Sequence, residues 1–588
     1  MAIAAVQIAK PPRWSFASVA LTGVLAAVAL LGILPFVWSV HMLPLPSFDS
    51  EVVAAFCLGF ALLCSGPLKG PAAKIRWPLP LFLLSLCTLV SLQQALGMLA
   101  YSQLAVRFYL YTACVLLAYV LGRRLLATGH AAEATRYFCG AMLIGGLYTV
   151  LVQWLQMLDL EVLPPWMAAV FKDPVVQTRP FGNLGQANHA DTYIAMAAFC
   201  ALYLGKRAPR DAWFVAPSLM VTACGLALTG SRMGIAFLAL LMATLFAPTA
   251  LRPLGLRQRW AGLAALLAGY AAGLIAIRIV AGEFDTLTRF SEHSWPIRVE
   301  LLRQAWVLSL QHPLLGLGVG QFASGSYWIA RPGPYSQLAN NCHNLILELA
   351  VEFGWPAGVA VCGLAVSWFW RDLRARLAQP ESAFAIAILL LLGIHSMLEF
   401  PLWYLFFALP AALLFGLAEP EWDRYASVDV RRILPMAGFT VLSVGLGYHL
   451  NYDALKQAAS PLWFEMKHVR KRTVADAILV LSVADSKLFQ PEAEYLMVDL
   501  KHPPDEGTSG PLERAARLMR VTPATDVAAQ YIVLLAQAGQ VDAALANVPR
   551  LRLFARESYA VYRDDILDRT RFLGREAAPL RHELRRAS

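Results

Sequence analysis

"SFASVALTGVLAAVALLGILPFVW", Ser15 to Trp38, runs for 24 residues without a charged side chain. At about 1.5 Å per residue such a helix covers the roughly 30 Å of a bilayer's hydrocarbon core. It is too long for the apolar part of a signal peptide and lacks a small-x-small cleavage site, so it reads as a first membrane span. Similar runs recur along the chain, at about 52–66, 78–95, 105–121, 137–157, 189–204, 212–228, 233–249, 260–280, 344–369, 383–399, 402–418 and 433–449. The expected fold is therefore all-α, a polytopic membrane protein with about 13 transmembrane helices. Composition agrees: 58% of residues are hydrophobic and 15% charged, against about 25% charged in soluble proteins.

Basic residues set the orientation. Lys10 and Arg13 precede the first span. Lys69, Lys74 and Arg76, then Arg123, Arg124 and Arg136, then Lys206, Arg207 and Arg210 fall in every second connection. Arg252, Arg257 and Arg259, then Arg371, Arg374 and Arg376, then Arg424, Arg431 and Arg432 continue the alternation. The connections at 39–51 and 96–104 hold no Lys or Arg. The positive-inside rule then puts the N-terminus in the cytoplasm, and the segments 158–188, 281–343 and everything after Leu450 outside. The net charge of +10 is accounted for by this placement and implies no nucleic-acid partner. Nine cysteines, eight of them in or beside apolar runs, show no metal spacing and no disulfide framework.

Two domains are expected: residues 1–450 in the membrane, with a long outside loop at 281–343, and a soluble helical tail over 451–588. In the tail, "DVAAQYIVLLAQAGQVDAALANVP" reads as a helix, a turn at Gly539 and a second helix, a hairpin of the tetratricopeptide (TPR) kind.

Four clusters of polar residues face outside: "HMLPLPSFDSE" (His41–Glu51), "RPFGNLGQANHA" (Arg179–Ala190), "TGSRMG" with "SWPIRVELLRQAW" and "HPLLGLGVGQF", and "NNCHNLILELAVEFGWPAG" with "HSMLEFPLWYLFF". Arg232 lies at a membrane boundary, where a guanidinium is costly unless paired or hydrated. It suits either an interfacial arginine or an anion site. Arg298 on an amphipathic stretch suits a solvated face or the same anion. The glycines of "GLGVGQF" match no nucleotide loop and read as a flexible turn. His343 lies at the lip of a span, and histidine is a residue type suited to acid–base work. Glu348 and Glu352 follow it as buried partners or helix-end charges, and Cys342 beside it makes no nucleophile pair.

The ordered set of the "SR" boundary, the loop arginine before a Trp-containing helix, "HPLLGLGVGQF" and "HNLILELAVEFGWPAG" over about residues 220–410 resembles the O-antigen ligase and polymerase superfamily. "HMLPLPSFDSE", "RPFGNLGQANHA", "HSMLEFPLWYLFF" and the large soluble tail resemble its PglL-type branch, bacterial protein O-oligosaccharyltransferases. The resemblance implies transfer of an oligosaccharide en bloc from undecaprenyl pyrophosphate to Ser or Thr hydroxyls of periplasmic or pilin-like proteins. It places the enzyme in the bacterial inner membrane, among membrane lipid, with active site and tail in the periplasm. It assigns Arg232 and Arg298 to the pyrophosphate and His343 to catalysis. Gln186, Tyr404, Arg179, Asn188, His189 and Glu399 stand as supporting substrate-binding candidates. With no DxD-like acidic pair outside, no metal and no cofactor are expected, and one direct displacement would invert the anomeric centre. The same donor chemistry also serves an O-antigen ligase acting on lipopolysaccharide core, or an O-antigen polymerase. A transporter is a poorer reading, since no internal repeat is present and the polar residues gather on one membrane face.

Overall fold

The apolar runs are helices in the computed structural model, which describes residues 16–41, 45–169, 179–207, 209–246, 254–281, 294–333, 336–371, 373–419, 426–465, 488–498 and 509–586. Part of the long loop expected outside (282–293), much of the early tail (466–487) and the cations Lys10, Arg13, Arg252 and Arg424 fall beyond these residues.

In chain order the membrane-associated helices are α1 (Phe16–Leu31), α2 (Leu34–Val37), α3 (Phe48–Cys64), α4 (Pro78–Ala95), α5 (Ser102–Ala127), α6 (Ala131–Met157), α7 (Ala187–Arg207), α8 (Val215–Leu228), α9 (Arg232–Phe246) and α10 (Leu256–Ala281). Within the long loop lie α11 (Ser294–Gln311) and α12 (Phe322–Ile329), and after it come α13 (Leu345–Phe353), α14 (Trp355–Trp370), α15 (Leu373–Ala378), α16 (Pro380–Ser396), α17 (Leu405–Ala418) and α18 (Ile433–Glu465). Six helical stretches among the described residues are long and apolar enough to cross a membrane, and five shorter apolar helices accompany them. Their outward faces carry exposed Leu81, Ile144, Ile275, Ile279, Met436 and Phe439, the surface expected of helices solvated by lipid rather than water. The chain is thus an all-α, multi-pass membrane protein.

Helix α7 runs through the middle. Nearly all its residues are buried, because its Ala-rich sequence lets neighbours approach closely. A Cβ on Gly146 of α6 would stand 2.3 Å from the Ala197 Cβ. The only sheet is a short antiparallel pair of β1 (Ala73–Ile75) with β2 (Ala426–Val428), among the described residues. Arg123 and Arg124, expected in a cytoplasmic loop, are instead fully buried beside it, donating to the carbonyls of Lys74, Gly416, Pro71 and Leu68 among others. Guanidinium groups with several N–H donors suit that capping role.

The apolar run at 344–369 is not one helix. It breaks at Gly354, whose φ of +85° is open to glycine and strained for other residues. A Cβ there would sit 2.3 Å from the Leu314 carbonyl oxygen, and Pro356 follows at the start of α14. Gly354→Ala is expected to lower stability by about 1–3 kcal/mol, read as a drop in the thermal midpoint of the detergent-solubilised protein. The "GLGVGQF" turn is less flexible than its glycines suggest. Gly316, Gly318 and Gly320 all have positive φ. The Leu317 and Gly318 amides donate to the Val351 and Glu352 carbonyls, and the Gly320 amide to Glu352 Oε1. Glu352 and Glu348, which accepts from the Cys342 amide at 2.5 Å, therefore tie down loop backbone.

Helix α18 runs unbroken past Leu450. Beyond it lie α19 (Gln490–Val498), α20 (Ser509–Met519), α21 (Thr525–Gln537), α22 (Val541–Ala555), α23 (Tyr559–Arg569) and α24 (Ala578–Arg586). The helix–Gly539–helix hairpin is present, with Gly539 at φ +75°. These helices dock on the end of the membrane part formed by the start of α3 and the α4–α5 connection. Arg107 makes a two-pronged pair with Glu492, both contacts 2.6 Å, and the Tyr101 hydroxyl donates to Glu494 at 2.6 Å. Asp49 of "HMLPLPSFDSE" pairs with Lys456 at 3.2 Å.

Candidate active site

The "NCHN" sequence is a helix start. Asn344 is the N-cap of α13, its Oδ1 accepting from the Leu347 amide at 3.1 Å. Cys342 is buried. His343 between them has φ +61°, the left-handed region in which His, Asn and Asp are over-represented among non-glycine residues. That backbone geometry, worth about 1–3 kcal/mol of strain, turns the imidazole away from the helix and toward Glu399.

Glu399 is the hub. It lies just past α16, 4% exposed, where the helix has ended and the chain turns into "FPLWY". His343 Nδ1 lies 2.7 Å from its Oε2, and Arg298 Nη2 donates to its Oε1 at 2.9 Å. Asn188, in the first turn of α7, donates to the same Oε1 at 2.9 Å. Asn188 Oδ1 in turn accepts from Arg179 Nη2 at 3.1 Å and from Ser231 Oγ at 3.0 Å. Arg232 is the next residue, opening α9. Five separated parts of the sequence thus converge through one carboxylate and one carboxamide.

Burial alone would push the Glu399 carboxyl up. The hydrogen bond from His343, the charge of His343 and then that of Arg298 outweigh it and hold the pKa down to about 2. A carboxylate whose folded-state pKa lies below its ordinary 4.5 contributes stability that is present above that value. The contribution is lost as pH falls through about 2. Its full size is on the order of 3 kcal/mol. Acidification from pH 5 to pH 2 is therefore expected to lower the thermal midpoint of the wild type more steeply than that of Glu399→Gln.

The remaining candidates gather next door. Gln186, His189 and Tyr404 line a cavity of about 180 Å³ together with His41, Ser47 and Ser50. His189 packs edge-on against Tyr404, ring centres 4.8 Å apart. Phe400 stands between this cavity and the hub, 5.3 Å from the His343 ring and 5.8 Å from that of Tyr404. Gln186 Oε1 is buried without a hydrogen-bond partner among the described residues, an acceptor suited to a ligand hydroxyl.

By sequence Glu399 reads only as a supporting candidate beside the arginines, although it joins two of the leading candidates, Arg298 and His343. The signal was present: a carboxylate between apolar runs is expensive unless partnered. The same reading missed Asp191, fully buried in α7, whose Oδ1 accepts from Thr229 at 3.3 Å. A Cβ on Gly234 would lie 2.9 Å from that oxygen, so the glycine of "SRMG" admits the carboxylate. Ser231 and the Thr192–His395 contact at 2.8 Å were missed as well. Among the described residues no three His, Cys, Asp or Glu side chains converge as a metal site. The cations the site supplies are guanidinium groups.

Residues 217–362, which include Ser231, Arg298 and His343, match the family described as O-antigen ligase. Over these residues the chain is similar to the O-antigen ligase family. Residues 383–565, containing Glu399 and Tyr404, match the C-terminal part of the virulence factor membrane-bound polymerase family. The chain is also 24% identical to the general O-oligosaccharyltransferase of Acinetobacter baylyi over 553 residues, covering 88% of this chain and 93% of the relative. Together these bear out the resemblance to PglL-type protein O-oligosaccharyltransferases of the O-antigen ligase superfamily.

Proposed function

We propose that the chain is a glycosyltransferase that moves an oligosaccharide en bloc from a polyprenyl pyrophosphate, undecaprenyl in bacteria, to Ser or Thr hydroxyls of periplasmic proteins such as pilins. The observation that carries the reading is the Arg298–Glu399–His343 cluster on one membrane face, within a chain similar along most of its length to a general O-oligosaccharyltransferase. The membrane is the bacterial inner membrane, with the site and a TPR-like tail of about residues 451–588 on the periplasmic side.

In this reading His343 donates Nδ1–H to Glu399, which leaves Nε2 to accept a proton from the incoming hydroxyl. The acceptor oxygen bonds to the anomeric carbon as the bond from that carbon to the pyrophosphate oxygen breaks, inverting the centre. The proton goes to His343 and the bonding pair leaves with the pyrophosphate. Arg232 and Arg298 neutralise the charge that develops there, a task guanidinium groups perform without a metal. Arg298 uses one nitrogen on Glu399 and is 31% exposed, so donors remain for a phosphate. Gln186, Tyr404 and His189 hold the first sugars, with Arg179 and Asn188 keeping the hub in register. Removal of the Arg298 guanidinium by Arg298→Ala should lower turnover about 10²–10³-fold, measured as single-turnover transfer at saturating donor.

The test is a choice of acceptors. Proteoliposomes holding the enzyme and a defined lipid-linked oligosaccharide receive, in parallel, a pilin-type protein, lipopolysaccharide core, or more of the donor alone. A protein mass gain of one whole oligosaccharide supports the proposal. Product only on core, or only longer lipid-linked glycan, replaces it with the ligase or the polymerase reading.

A further inference from the structure

A second cavity of about 550 Å³ lies between the stretch that leads into His343 and the C-terminal helices. Gln337, Leu338 and Asn340 form one wall, and Thr522, Thr525 and Arg556 the other. The two walls are tied to one another. Arg550 of α22 donates to the Ala330 carbonyl at 2.7 Å, Arg556 donates to that of Ser336, and Tyr327 stacks on Phe554 at 5.5 Å. Asn340 is three residues from His343, so this wall ends within about 11 Å of the catalytic histidine.

Two observations say what fits there. From Gln337 to Asn341 the backbone lies outside any helix or strand, and its amides and carbonyls make no hydrogen bond among the described residues. Such groups seek partners, and a run of them at one-residue spacing complements the main chain of another polypeptide, as in strand addition. Among the described residues no Asp or Glu lines the cavity, and the aromatic ring that does, Phe554, is occupied on one face by Tyr327. An oligosaccharide is most often held by carboxylates and by open aromatic faces, neither of which the described lining offers, whereas a row of unpaired amides and carbonyls matches a main chain.

We propose that this groove between residues 336–340 and the C-terminal helices is the acceptor-binding site: an extended segment of the acceptor protein pairs its main chain with residues 337–340, which carries its hydroxyl to His343. The assignment rests on the protein-acceptor reading above. It gives the C-terminal helices a role in substrate capture. It also makes recognition a matter of backbone more than of side-chain sequence.

Gln337→Trp and Thr522→Trp fill the groove from opposite walls, on separate elements. In proteoliposomes with the lipid-linked oligosaccharide and a pilin-type acceptor, each is expected to raise the acceptor KM by about tenfold, the scale of one interface anchor. The turnover at saturating acceptor and the donor KM stay as in wild type. A benzophenone amino acid at Gln337 should cross-link to that acceptor in the absence of donor, which needs no tryptophan variant to fold. Unchanged acceptor KM in both variants with no cross-link overturns the assignment. A rise in donor KM instead gives the groove to the glycan. If the wild type glycosylates no protein, the function proposal falls and takes this one with it. If it does glycosylate while the groove variants behave normally, only the groove is wrong.

Discussion

Replacing His343 by alanine is expected to lower glycan transfer by about 10²–10⁴-fold, the range for loss of a general base, while donor binding and folding persist. The imidazole is 24% exposed, so its removal opens no cavity in the core. Its backbone does not depend on the ring, since Asn344 still caps α13 through Leu347. His343 is not among the groups assigned to the pyrophosphate, so the affinity for the lipid-linked donor should hold. The readout is the split between donor binding, measured directly, and single-turnover transfer to the acceptor. Loss of both together would point to a collapsed site and against a base.

The second large effect belongs to Glu399→Gln. The amide nearly preserves shape but removes the negative charge that Arg298 and His343 share. It also presents an N–H₂ that competes with the imidazole for donor status, so the ring is driven toward the tautomer whose Nε2 carries the proton. A base in the wrong tautomer cannot accept the hydroxyl proton. Replacement of the carboxylate by its amide in hydrolase triads costs up to about 10⁴-fold, and a loss of that order is expected here. A purely structural role would appear as a lower thermal midpoint with turnover of the folded fraction unchanged. The positioning role predicts lost turnover in protein that is still folded, with Glu399→Asp recovering part of it.

These two residues also show how far the sequence could be read. Charge-free runs and alternating basic loops made the helical membrane fold legible, because the bilayer forces every backbone group into a helix. Where the chain leaves a helix, periodicity is silent. The apolar run at 344–369 hides the break at Gly354, which follows from backbone–backbone approach to Leu314 that no pattern of apolar residues encodes. Arg123 and Arg124 read as cytoplasmic loop cations, yet they fold back onto carbonyls contributed by α17 and the β1 region. At the site, His343 and the arginines were legible through motif order. Glu399 and Asn188 gained importance only when residues 211 positions apart were brought to 2.9 Å. Asp191 was invisible for a plainer reason: a single carboxylate inside an Ala-rich run looks like a boundary error until its partner Thr229 is beside it.

The most direct measurement is the intact mass of a pilin-type acceptor after incubation with the reconstituted enzyme and one defined lipid-linked oligosaccharide, for wild type and His343→Ala at equal donor occupancy. The account predicts a gain of one whole oligosaccharide with wild type and almost none with the variant. A variant that modifies the acceptor as fast as wild type would contradict the assignment of His343, and with it the chemistry proposed for the cluster around Glu399.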